Sequence, residues 1–91
     1  MPYGSSTIEW YKQLIDSLAK KHEDVLLQQK VWDRDRRLTY MFVVDEEYLD
    51  DFVNKLNRVL MGAEIKVITS GGPPRVYVYI SKADRFSRRS V

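Results

Sequence analysis

Cysteine is absent from this 91-residue chain, and histidine occurs once. The first absence excludes a disulfide framework and a thiolate metal site as supports for a small core. The second leaves His22 as the one candidate for histidine catalysis. His22 stands where the first helix is expected to end, among lysines and acids, and no partner in the sequence would position it as a general base. There is no apolar run of membrane-spanning length, and Met1-Pro2-Tyr3-Gly4-Ser5-Ser6 lacks the basic segment and apolar stretch of a signal peptide. The expectation is a cytoplasmic protein. No metal-ligand spacing, nucleophile elbow or nucleotide fingerprint occurs either, so neither an enzyme nor a cofactor is expected.

What is present suits one small globular domain. The hydrophobic share is 44%, charged residues make up 31%, and eleven aromatic side chains are enough for a compact core. Residues 1–82 are expected to form that domain. Residues 83–91 have no apolar periodicity and are expected to be a flexible basic tail carrying Arg85, Arg88 and Arg89.

The net charge of +2 says less than its distribution. Residues 45–62 sum to −3, five acids against Lys55 and Arg58, and residues 7–24 sum to −1. Residues 25–37 sum to +2, residues 63–81 to +1 and residues 82–91 to +3. The negative excess therefore lies in the two segments with helical periodicity, and the basic excess lies everywhere else.

In the first of those segments Ile8, Tyr11, Leu14, Ile15 and Leu18 recur at helical intervals behind a Ser6/Glu9 capping-box spacing, which predicts a helix over residues 7–21. Residues 25–32 follow with Val25, Leu27, Gln29 and Val31 on one side and Leu26, Gln28, Lys30 and Trp32 on the other. This reads as a strand, with a continued helix as the alternative. Asp33-Arg34-Asp35-Arg36 reads as a hairpin tip, and the β-branched and aromatic run 38–44 as a buried strand.

Asp45 is an expected N-cap, Glu46 and Glu47 suit a first turn, and Leu49, Phe52, Val53, Leu56, Val59 and Leu60 form an apolar stripe, so a second helix is expected over 46–61. Gly62 ends it. Strands over 63–69 and 75–81 flank a Ser70-Gly71-Gly72-Pro73-Pro74 turn; a phosphate cradle would instead lead into a helix and would keep the two amides that the prolines lack.

The order αββαββ predicts an α+β fold: a four-stranded antiparallel sheet in the order 3-4-2-1 with both helices on one face. It equals a circularly permuted ferredoxin-like fold, in which the first strand stands last. The other face then lacks a covering layer. Val76, Val78 and Ile80 suit the core, which turns Arg75, Tyr77 and Tyr79 outward beside Lys66, Lys30 and Trp32. For the second strand either Thr39, Met41 and Val43 or Leu38, Tyr40 and Phe42 turn outward.

Two tyrosines and a tryptophan among cations form a surface on which bases stack while Lys30, Lys66, Arg75, the Arg34/Arg36/Arg37 tip and the tail meet phosphates. Thr39-Tyr40-Met41-Phe42-Val43 loosely resembles the aromatic strand motif of the RNA-recognition motif family, which reads bases from two central strands. Thr39 stands at the family's glycine, Asp45 at a usual aromatic, and the strand order is permuted, so no site residue is carried over. The αββαββ order also resembles, in architecture alone, assembly domains of secretion platforms that follow a membrane helix.

The function expected from the sequence is a small non-catalytic binding module for single-stranded RNA or DNA. A homodimeric protein-interaction or assembly domain using the same face is the alternative.

Overall fold

In a computed structural model, residues 3–81 are described, with side chains over residues 8–81. The elements are α1 (Tyr3–Lys21), β1 (Leu26–Asp33), β2 (Arg37–Val44), a short 3-10 turn (Glu46–Tyr48), α2 (Leu49–Val59), β3 (Glu64–Ile68) and β4 (Arg75–Ser81). All neighbouring strands are antiparallel, in the order β1-β2-β4-β3. This is the order expected from the sequence, read from its other end.

The first helix starts earlier than its capping box implied. Ser6 and Glu9 lie inside α1, which begins at Tyr3, because serine costs a helix interior only a few tenths of a kcal/mol. Its end agrees with expectation: Lys20 and Lys21 occupy the last turn. The chain then turns on backbone bonds from Val25 and Leu26 N–H to the His22 carbonyl, at 2.9 and 3.1 Å. That turn rules out one helix running on to residue 32.

β1 carries a correction. A bulge between Leu26 and Gln28 breaks strict alternation, so Leu26 opposes Val44 and packs against the core rather than sharing a face with Gln28, Lys30 and Trp32. From Gln28 onward the expected alternation holds.

Asp45 caps as expected: its backbone is extended and its Oδ1 accepts from the Glu47 N–H at 3.1 Å. It opens the 3-10 turn, however, and the α-helix proper runs only over Leu49–Val59. Gly62, at φ +94°, makes the left-handed exit that a side chain would strain. At the β3–β4 turn Gly71 and Gly72 also have positive φ, and the buried Pro74 accepts from the Val44 N–H at 3.0 Å. A hairpin turn is thus what the segment forms.

The core lies between the helices and one face of the sheet. Ile15, Leu18 and Ala19 of α1 and Phe52, Leu56 and Leu60 from the second helical segment meet Leu38, Tyr40, Phe42 and Val44 of β2 and Val76, Val78 and Ile80 of β4. Each fully buried side chain of this size contributes about 1.5–3 kcal/mol of transfer free energy. At the centre Phe42 and Phe52 meet edge to face, with centroids 5.3 Å apart.

Among the described residues no helix is long and apolar enough to cross a membrane.

Candidate nucleic-acid interface

The register of the three strand pairs fixes which side chains share the helix-free face. Because Leu38, Tyr40 and Phe42 point into the core, Thr39, Met41 and Val43 point out, which settles the phase of β2. The face then consists of three rows across the sheet. One runs Trp32, Thr39, Tyr79, Glu64; the next runs Lys30, Met41, Tyr77, Lys66; the third runs Gln28, Val43, Arg75, Ile68. Arg37 opposes Ser81 beyond the first row.

Charge on these positions is one-sided. Lys30, Lys66, Arg75 and Arg37 face a single acid, Glu64. The helix side differs in sign. Burial first, then the nearby carboxylates of Asp16, Asp33 and Glu9, push the Tyr40 phenol up from 10.0 to about 12. A phenolate there would be desolvated and would face three negative neighbours.

One measurable consequence follows for alkaline stability. The folded-state value lies above the unfolded one, so the contribution from Tyr40 is complete below pH 10 and is lost as pH rises toward about 12. In ultraviolet titration the Tyr40 phenol should ionise at about pH 12, with urea stability declining over the same interval; Tyr40→Phe should remove both effects. Loss of a signal near pH 10 rather than about 12 on Tyr40→Phe would contradict the burial argument.

At the hairpin end of the face Trp32, Arg34, Arg37, Thr39, Tyr77 and Tyr79 line a shallow depression of about 450 Å³. The Tyr77 and Tyr79 rings are parallel within 6°, with centroids 6.1 Å apart, as two residues of the same parity on one strand should be. The Arg37 guanidinium lies over the Tyr79 ring, 5.1 Å from its centroid. Met41 is only 7% exposed despite facing away from the helices. It forms an apolar floor between Lys30 and Tyr77.

Of the residues singled out in the sequence, Trp32, Arg34, Arg37, Tyr77 and Tyr79 come together in this depression. Lys30 and Lys66 flank Met41 and Tyr77 from the two edge strands. Arg75 stands apart at the other end, its Nη2 donating to the Ser70 carbonyl at 3.3 Å. Arg36 is exposed at the hairpin tip and does not line the depression. Arg85, Arg88 and Arg89 lie outside the described residues. Thr39 is the lining residue that sequence reasoning left undecided, and it was decidable only through the phase of β2.

His22 has a structural role. Nδ1 donates to the Leu18 carbonyl at 2.9 Å, Nε2 accepts from Lys55 Nζ at 3.1 Å, and the ring meets Phe52 edge to face. Lys55 also pairs with Asp51 at 3.2 Å. No protein-family model, curated protein or solved structure matches the chain.

Proposed function

We propose that this chain is a non-catalytic module that binds single-stranded RNA or DNA on its helix-free sheet face. One observation carries the reading: three aromatic rings and two arginines converge on a single depression, on a face where four strand cations oppose one acid. Bases stack on Trp32, Tyr77 and Tyr79, which accept any base because every base has a π-face. Phosphates meet Arg34 and Arg37 at one end, Lys30 and Lys66 at the sides and Arg75 beyond. The tail arginines 85, 88 and 89 belong to the same proposal on charge alone. The acids of the helix side orient a polyanion toward the sheet.

We also propose that the architecture is a ferredoxin-like fold whose first strand has moved to the C-terminus. The order β1-β2-β4-β3 supports it, with β4 between β2 and β3.

Fluorescence anisotropy with a mixed-sequence oligonucleotide tests the binding. Each neutralised phosphate contributes a slope of about −0.7 in log affinity against log salt for single strands. Four or five contacts therefore weaken binding about a hundred-fold between 50 and 200 mM salt. Undetectable or salt-independent binding would remove the proposal.

A second reading, a protein-interaction face, draws on the apolar Met41, Val43 and Ile68 between the charged edges. It predicts self-association that Tyr77→Ala abolishes.

A further inference from the structure

We propose that the outer edge of β1 pairs with the same edge of a second copy, around a two-fold axis at Val31, to make one continuous eight-stranded sheet. Among the described residues β1 has a strand neighbour on one side only. It is eight residues long and leaves Val31 52% exposed. The exposed stretch Gln28–Val31 of this edge presents a template for another strand.

The backbone direction can be read from the hairpin. The Arg34 N–H donates to the Arg37 carbonyl at 2.9 Å, so after the bulge the even-numbered residues address β2. The alternation turns the N–H and C=O of Gln29 and Val31 outward.

The side-chain pattern selects the register. In a two-fold antiparallel pair, residues equidistant from the axis stand opposite each other, and like charges so placed are unfavourable. An axis at Lys30 sets the two Lys30 ammoniums opposite each other. At Trp32 it sets Lys30 against Arg34, and at Asp33 it sets Lys30 against Arg36. Axes at Gln28 or Gln29 draw Leu27, within the bulge, into the ladder.

An axis at Val31 avoids all of these. Val31 meets Val31, Lys30 meets Trp32, Gln29 meets Asp33 and Gln28 meets Arg34, with no like-charge opposition over seven residues. The exposed valines cover each other on the helix side. On the open face Lys30 stands beside an indole, a cation against an aromatic ring. Lys30 thus acts as a register filter, blocking wrong pairings of the edge while matching this one.

A concavity of about 400 Å³, lined by Asp16, Ala19, Lys20, Glu23, Leu26, Gln28 and Gln29, runs beside this edge. The added strand closes it. The two open faces become continuous, with Trp32 and Lys30 at the seam.

The absence of cysteine makes the test clean, and no oligonucleotide is needed, so its outcome is separate from that of the binding assay. Cα atoms of a hydrogen-bonded antiparallel pair lie about 5.5 Å apart, within disulfide reach. In the full chain, Val31→Cys should oxidise to a covalent dimer at least about ten-fold faster than Gln29→Cys, whose two sulfurs would be offset by about 14 Å along the strands. Light scattering of the cysteine-free chain at high concentration should give twice 10.8 kDa. Val31→Lys should weaken that dimer about ten-fold or more while leaving the circular dichroism melt in place at concentrations where both chains are monomeric.

A monomeric mass at the highest concentration would overturn the proposal. So would equal cross-linking rates, or a dimer untouched by Val31→Lys, which would place the contact on another surface such as the open face.

Discussion

Phe52→Ala is expected to cost about 3–5 kcal/mol, at least about a fifth of the roughly 5–14 kcal/mol available to a chain of this size. Phe52 is fully buried. It meets Phe42 of β2 edge to face at 5.3 Å and the His22 ring at 5.6 Å, so one truncation empties the junction of α2, the sheet and the end of α1. Its neighbours cannot collapse cheaply into the space, because Phe42 is held by the β2 ladder and His22 by its bonds to Leu18 and Lys55. Urea unfolding followed by far-ultraviolet circular dichroism should show the midpoint falling by about 1 M or more. Leu27→Ala, at an exposed bulge position, should stay within about 0.5 kcal/mol of the parent. A comparable small change for Phe52→Ala would contradict its place at the centre of the core.

The same residue shows why so much of the fold was legible. Phe52 belongs to a stripe with Leu49, Val53, Leu56, Val59 and Leu60 that no strand period can bury on one side. The second helix and its glycine exit were therefore fixed by periodicity and by one backbone requirement. β4 was equally plain, since Val76, Val78 and Ile80 alternate with Arg75, Tyr77, Tyr79 and Ser81. With two helices and two hairpins in that order, few topologies remain.

Other features were decided by interactions that a local pattern does not contain. Leu38–Val44 is apolar at both parities, so its phase came only from pairing with β4, where Leu38 opposes Ile80 and Thr39 opposes Tyr79. Thr39 and Met41 entered the candidate site through that pairing. The bulge at Leu26 was hidden because Leu26 and Leu27 are both apolar, and a sequence alternation assigns one of them to the wrong face. The 3-10 turn before α2 likewise looks like ordinary helix in composition. Arg36 and Arg75 separate from the depression for a geometric reason: one sits at the hairpin tip, and the other is two strand positions beyond Tyr77, tied to the Ser70 carbonyl.

That geometry sets the largest functional effect. Tyr77→Ala and Tyr79→Ala should each weaken single-stranded oligonucleotide binding by about 1–3 kcal/mol, the usual cost of removing one stacking platform. The double substitution should bring binding to the residual electrostatic level. The two losses need not be equal. Tyr79 stands in the row with Trp32 and carries the Arg37 guanidinium, so its removal also frees that cation, whereas Tyr77 stands between Met41 and Lys66.

Tyr77→Phe and Tyr79→Phe keep the rings and should keep the affinity, because stacking uses the π-face and not the hydroxyl. Lys30→Ala and Lys66→Ala should instead lower affinity uniformly across sequences and reduce the salt slope by about 0.7 each. Urea midpoints measured on the same proteins separate a lost platform from a loosened sheet. An alanine variant that keeps both its stability and its full affinity would show that bases do not stack on this face.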